Sequence, residues 1–106
     1  MIEKRRYPRY DKKLELRYAT LGLASVEASS VTKNVSKGGA RLQVSRLIKK
    51  GDALKLEIMP SDRQSPPIAA MGRIVWTKEG GGFEVDAGLR FTKISPSDAA
   101  RLVGMS

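Results

Sequence analysis

The sequence contains no cysteine and no histidine, and these absences exclude several kinds of chemistry. Without cysteine, the chain can form no disulfide bond and offers no thiolate nucleophile, which fits a reducing compartment. Without histidine, it lacks the most common general base and the most common metal ligand in proteins. The carboxylates show no spacing typical of paired acid–base catalysis or of an oxygen-only metal site. We therefore expect no enzymatic activity, no metal and no cofactor.

Long apolar runs are also missing. No stretch approaches the roughly 20 consecutive apolar residues that a membrane-spanning helix needs, and the basic N-terminus lacks the apolar stretch of a signal peptide. The 106 residues are 41% hydrophobic and 29% charged, which is typical of one small globular domain. The sequence therefore predicts a cytoplasmic protein with no membrane span.

Acidic residues are scarce relative to basic ones, and the positive excess is concentrated near the N-terminus. The chain has 20 basic and 11 acidic residues, a net charge of +9, and seven of the basic residues fall within the first 17 positions. Residues 4–11, KRRYPRYD, place arginines around Pro8 with almost nothing to bury. Such asymmetry favours an anionic partner, although a solubilising basic surface is the alternative. We expect residues 1–12 to form a flexible basic leader and residues 13–106 to form the folded domain.

Apolar residues alternate with polar ones along most of the remaining chain, which predicts β-strands with one buried face. The residues predicted to share such a face are Leu14, Leu16 and Tyr18; Ala40, Leu42 and Val44; Leu54, Leu56 and Ile58; and Phe83, Val85, Ala87, Leu89 and Phe91. Two further segments, VEASSVTKN and IAAMGRIVWT, are rich in β-branched or apolar residues and predict two more strands.

The C-terminal segment alone is typical of a helix. Ser95 suits an N-cap, Pro96 suits the first helical position, and Asp98 suits the first turn, where its charge meets the helix dipole. Turn signals separate the predicted strands, and no helical crossover connects them. The sequence therefore predicts an all-β fold, a six-stranded antiparallel β-barrel with a short C-terminal helix.

A second polar stretch, TKNVSKGGAR, lies where two predicted strands meet. Asn34 and Ser36 are two residues apart, so their side chains are expected on the same side of the chain. Glycines at positions 38 and 39 let the backbone take positive φ, so that successive N–H groups can point into an anion-binding concavity. Residues of these types also form ordinary turns, and a turn without a ligand is the simpler interpretation.

Taken together in chain order, RRYPR, NVSKGG, GRIVW and GLRF resemble the PilZ domain, the bacterial receptor module for cyclic di-GMP. The PilZ motif is R-x-x-x-R followed by [D/N]-x-S-x-x-G. Arg5 and Arg9 match its first part, and Asn34, Ser36 and Gly39 match its second. The resemblance covers essentially the whole chain. It implies a PilZ-like barrel that binds cyclic di-GMP through these five residues.

The resemblance also implies secondary contacts. Lys4 and Arg6 flank Arg5 and either reach phosphate or stay solvated, and Gly38 adjoins the second motif. Trp76 either stacks on a base or belongs to the core. The other residues considered are Tyr7 and Tyr10, expected to pack the leader against the barrel, and Arg41 and Arg73, interpreted as surface charges.

Two other functions remain open at this stage: a basic small barrel that binds RNA or DNA, and a PilZ-like adaptor that binds only proteins. The polymer-binding alternative explains the charge but not the combination of Asn34, Ser36 and Gly39. We therefore expect a cyclic di-GMP receptor rather than a nucleic-acid-binding protein. Ligand would order the leader and thereby change the surface offered to a downstream protein partner.

Overall fold

The computed structural model describes residues 7–21, 26–60, 64–79 and 82–104. In these residues it contains six strands and one helix: β1 Glu15–Thr20, β2 Glu27–Val35, β3 Gly39–Ser45, β4 Ala53–Ile58, β5 Ile68–Glu79, β6 Glu84–Lys93 and α1 Pro96–Gly104. The strands close into a barrel in the order β1-β2-β3-β6-β5-β4, and every neighbouring pair is antiparallel. The predicted fold class is confirmed.

The inward faces of the strands form one hydrophobic core. Leu16 and Tyr18 of β1 are buried, and the alternating apolar residues of β3 and β4 point inward in the same way. The hydroxyl of Tyr18 accepts a hydrogen bond from the N–H of Ser45 at 2.9 Å, and burial raises the pKa of this phenol. The period-two pattern therefore predicted the core correctly for these strands.

The prediction for Phe83 is wrong. Val85, Ala87 and Leu89 of β6 are buried as expected, but Phe83 precedes the strand and is 92% exposed. Gly82, just before it, has a φ of 95°. Because this left-handed conformation belongs to a turn, the alternation of β6 does not extend back to residue 83.

Helix α1 follows its predicted signals. The hydroxyl of Ser95 accepts a hydrogen bond from the N–H of Asp98 at 3.1 Å, which confirms the N-cap. The Asp98 carboxylate pairs with Arg101 at 2.9 Å, and Leu102 packs into the core. In the part of the chain that the structure describes, no helix is long and apolar enough to cross a membrane.

Three register shifts interrupt the barrel. Each inserts one extra residue into one strand of a pair: Lys33 in β2, Val75 in β5 and Thr92 in β6. Such β-bulges reverse which face the following side chains occupy. The β1–β2, β1–β4 and β4–β5 pairs keep a regular register. The irregular pairs therefore lie on one side of the barrel.

Candidate functional site

The described part of the leader lies along the end of β2. The N–H of Tyr10 donates to the carbonyl of Val35 at 2.8 Å, and the N–H of Val35 donates back to Tyr10 at 2.9 Å. The ring of Tyr7 lies against Gly38, where an added Cβ would come 2.8 Å from the ring. The Tyr7 ring thus packs the leader against the barrel as predicted, whereas Tyr10 is held by its main chain and its side chain stays exposed. Between them, Arg9 lines an open cleft of about 670 Å³, the leader cleft.

Three predicted cations fall outside the described residues. Lys4, Arg5 and Arg6 belong to residues 1–6, so only Arg9 of the R-x-x-x-R motif has a described position. The division of the chain at residue 12 stays a prediction.

The bulge at Lys33 explains how Asn34 and Ser36 reach the leader cleft. Before the bulge, Thr32 points into the barrel; after it, Val35 does. The inward positions thus change from even to odd residue numbers, and Asn34 and Ser36 turn to the outer surface. Both residues line the leader cleft, so the prediction that they share one side is confirmed.

The two glycines of this turn do not use the positive φ that glycine permits. In the described residues positive φ occurs at Gly51 and Gly82, and neither Gly38 nor Gly39 adopts it. Instead, the Ser36 hydroxyl accepts hydrogen bonds from the N–H groups of Gly38 and Gly39 at 3.1 and 3.2 Å. These two N–H groups therefore form hydrogen bonds within the turn.

Gly39 is required by strand packing. A Cβ at this position would overlap the carbonyl oxygen of Leu89 on β6. The glycine allows β3 and β6 to approach each other at the edge of the leader cleft. The motif suggested a ligand contact for Gly39, whereas the atom that a Cβ there would meet belongs to a strand of the protein itself.

Trp76 forms the opposite wall of the leader cleft. The inward residues of β5 include Gly72 and Ile74, and continued alternation would bury Trp76 as well. The bulge at Val75 turns the indole to the outer surface, where it lies over Gly88 so closely that a Cβ there would overlap the ring. Of the two interpretations of Trp76, the core position is therefore wrong.

Arg41 belongs to the same wall, which sequence reasoning missed. Its Cζ lies 5.7 Å from the centroid of the Trp76 ring, and its side chain lines the leader cleft. A guanidinium over an indole is a favourable cation–π contact. The alternation of β3 indicated only that Arg41 faces outward. Its neighbour Trp76 comes from another strand, and nothing local in the sequence indicates that contact.

Asp86 fixes the position of Arg41. Its carboxylate accepts a hydrogen bond from Lys33 at 2.6 Å and from Arg41 at 2.9 Å. The hydrogen bond from Lys33, followed by that from Arg41, holds the pKa of Asp86 below its ordinary value. Asp86 is thus ionised at neutral pH and holds the guanidinium beside Trp76.

The leader cleft is cationic. Its basic lining residues are Arg9, Lys37, Arg41, Arg90 and Lys93, and no acidic residue is among the described residues that line it. Sequence reasoning assigned no role to Lys37, Arg90 or Lys93, although Arg90 lies in the GLRF segment. A cationic cleft with one aromatic wall suits an anionic ligand that carries a flat ring. The described residues contain no cluster of three acidic side chains that could hold a metal ion.

The family comparison gives one match. A family model described as PilZ domain matches residues 3–106, nearly the whole chain. A comparison with curated protein sequences gives no significant match.

Three solved structures share the fold at low sequence identity. The inhibitor of motility MotI/DgrA from Bacillus subtilis is 20% identical with a TM-score of 0.78, covering 97% of this chain and 49% of that chain. The PilZ domain of YcgR from Escherichia coli with c-di-GMP is 16% identical with a TM-score of 0.70, covering 94% of this chain and 86% of that chain. The MrkH–c-di-GMP complex of K. pneumonia is 14% identical with a TM-score of 0.62, covering 98% of this chain and 51% of that chain. This chain thus spans about half the length of MotI and MrkH.

Proposed function

Because the chain belongs to the PilZ domain family, we propose that it is a receptor module that binds cyclic di-GMP in the leader cleft. The observation that carries this proposal is the convergence of Arg9, Asn34, Ser36 and Trp76 on one cationic cleft. Two of the structural neighbours, the YcgR domain and MrkH, were solved with c-di-GMP.

The chemistry of the cleft matches the proposed ligand. Cyclic di-GMP carries two anionic phosphodiesters and two guanines, each with N7 and O6 acceptors side by side. An arginine fork donates to this pair in a bidentate manner, which a lysine ammonium cannot do. We assign this contact, or one to phosphate, to Arg9 and Arg5, with Lys4 and Arg6 as further phosphate contacts. Trp76 and Arg41 offer a flat surface on which a guanine stacks.

The polar floor of the site comes from the β2–β3 turn. Asn34 presents donors and an acceptor to the ligand from the barrel side. Ser36 contributes differently from our sequence-based expectation, because its hydroxyl already bonds to Gly38 and Gly39. In this proposal Ser36 shapes the turn, and any contact it makes with ligand is added to those bonds.

Signalling in this proposal follows from the leader. Tyr10 and Lys12 already bond to β2. Ligand bound by Arg5 and Arg9 therefore orders the part of residues 1–12 that precedes Tyr10 and changes the surface that a downstream protein partner contacts. Hydrogen exchange of residues 1–12 with and without cyclic di-GMP tests this step. Slower exchange with ligand is the expected result, and identical exchange in both states contradicts the ordering mechanism while leaving binding intact.

Calorimetric titration tests the proposed function itself. Cyclic di-GMP should bind with a measurable heat and a defined stoichiometry at physiological salt. Cyclic di-AMP is the matched control because it has the same charge but an amino donor where guanine has the O6 acceptor. It should bind at least tenfold more weakly. Equal affinity for both would show that charge alone is recognised.

The polymer-binding alternative is distinguished by salt. Affinity for an RNA or DNA oligonucleotide falls by orders of magnitude with added salt because many counterions are released. A ligand with two phosphates should lose much less. Tight, strongly salt-dependent oligonucleotide binding without cyclic di-GMP binding would replace our proposal by the alternative.

A further inference from the structure

Thr32 is the one polar residue that is fully buried among those the structure describes, with 1% of its surface exposed. Its hydroxyl donates to the carbonyl of Lys12 at 2.7 Å and accepts from the N–H of Leu14 at 2.9 Å. Both partners are backbone groups at the base of the leader. One side chain of β2 therefore ties down the segment that begins three residues after Arg9.

These two bonds replace bonds that a regular β-ladder would supply. The N–H of Thr32 donates to the carbonyl of Leu14 at 2.9 Å, as in an antiparallel pair. In a regular ladder the N–H of Leu14 would then donate to the main-chain carbonyl of Thr32, and the carbonyl of Lys12 would accept from the N–H of Asn34. The Thr32 hydroxyl satisfies both groups instead.

The register between the leader and β2 explains why the substitution is needed. Four residues of the leader, from Leu14 to Tyr10, span the same length as three residues of β2, from Thr32 to Val35, so regular pairing is broken between them. Unpaired buried backbone groups cost free energy, so the gap in the ladder must be closed by another donor and acceptor. A hydroxyl provides one of each. Beyond the gap, regular backbone pairing of the leader resumes between Tyr10 and Val35.

We propose that Thr32 is a positioning residue that couples the two halves of the ligand site. Its hydroxyl fills the break in the leader–β2 ladder beside Asn34, and it holds the leader that presents Arg9. The inference rests on the proposed function for its ligand readout. Thr32 itself faces the barrel interior and contacts no ligand, so it acts through Arg9.

The Thr32→Val variant tests this role, because valine keeps the shape of threonine and removes the hydroxyl. We expect its affinity for cyclic di-GMP, measured by calorimetry, to fall at least tenfold. In an Arg9→Ala background the same change should weaken binding by a clearly smaller factor, because the leader then has only Arg5 left to position. Equal losses in both backgrounds would overturn the coupling.

Two controls separate positioning from stability. Ser30→Ala removes another hydroxyl of β2, which donates to the carbonyl of Gln43 on β3 rather than to the leader. Ile48→Val lowers stability through the core beyond Ser45, at the end of β3 opposite to the leader cleft. Both should bind cyclic di-GMP within twofold of the wild type. A tenfold loss in either would show that general destabilisation weakens binding.

Hydrogen exchange gives a readout that does not need ligand. The amides of Tyr10 and Leu14 should be protected in the wild type and should exchange at least tenfold faster in Thr32→Val. If the wild type fails to bind cyclic di-GMP but these amides respond as expected, the proposed function is wrong and the leader anchor is right. Unchanged exchange of these amides in a folded Thr32→Val variant would contradict the anchoring role of Thr32.

The Thr32→Ser variant covers the case in which Thr32→Val does not fold. Serine keeps the hydroxyl and loses only the methyl group, so it should retain protected Tyr10 and Leu14 amides and bind within threefold of the wild type. A folded Thr32→Ser variant whose leader amides exchange freely, yet which binds as the wild type does, would contradict the proposal.

Discussion

Two open clefts of similar size on different parts of the described surface differ in charge and in strand geometry. The leader cleft measures about 670 Å³ and has five basic side chains. The second, the β1 cleft, measures about 540 Å³ and is bounded by Arg17, Lys55, Glu27 and Glu57. Its two basic and two acidic side chains give this cleft no net charge.

The strand pairs under the two clefts also differ. All pairs that form the β1 cleft keep a regular register, whereas the pairs β2–β3 and β5–β6 beside the leader cleft are interrupted by bulges. A regular strand keeps its alternation, so its outward residues are simply the complement of its core residues. A bulge brings a residue of the inward series, such as Asn34 or Trp76, to the surface. Cleft volume alone would not distinguish the two.

The largest expected effect is a loss of folding stability caused by a side chain at the edge of the leader cleft. Gly39→Ala should destabilise the protein by about 3 kcal/mol, because its Cβ overlaps the Leu89 carbonyl and forces β3 and β6 apart. Gly104→Ala is the control, since no atom lies within 4 Å of a Cβ there. Urea denaturation measures both. Equal stability of the two variants would show that the close approach of β3 and β6 is not required.

The next effect compares one arginine from each cleft. Arg9→Ala should lose about 2 kcal/mol of binding free energy for cyclic di-GMP, as the loss of a charge-assisted contact usually does. Arg17→Ala removes the same charge from the β1 cleft and should change affinity less than twofold. Calorimetry compares the two directly. Similar losses would mean that net charge, rather than the leader cleft, determines binding.

The aromatic wall should contribute less. Trp76→Leu should cost about 1.5 kcal/mol of binding and Arg41→Ala about 1 kcal/mol, because each removes part of a stacking surface. The value for Arg41 revises the small effect that its interpretation as a surface charge implied. Trp76 is the single tryptophan of the chain, so bound guanine should quench its fluorescence. A titration that saturates in calorimetry without any fluorescence change would place the ligand away from this wall.

The smallest effect concerns Asp86. Because its pKa in the folded protein is lowered, its ionised form stabilises the protein above its unfolded pKa of about 4. That stabilisation is lost as the pH falls through the folded pKa. Since Lys33 and Arg41 are both partly exposed, Asp86→Asn should cost less than about 1 kcal/mol at pH 7. The difference in urea stability should shrink as the pH falls below about 4; a difference independent of pH would exclude the ion pairs as its cause.

How far the sequence predicted the site depends on the residue. Asn34 and Ser36 were predicted together because a motif and a two-residue spacing are both local. Arg41 was not, because its contacts with Trp76 and Asp86 come from other strands. The packing role of Gly39 was missed for the same reason, since the atom that a side chain there would overlap belongs to β6. Phe83 shows the limit of periodicity, because alternation in the sequence does not reveal where a strand begins.

Alternation, turn residues and motifs act through neighbours along the chain, and they were enough to predict the six-stranded barrel, most of its core and the family. The tertiary structure alone decided which polar residues reach one cleft. That outcome depends on the register between strands distant in sequence and on three single-residue insertions, whose positions follow from cross-strand hydrogen bonding and packing.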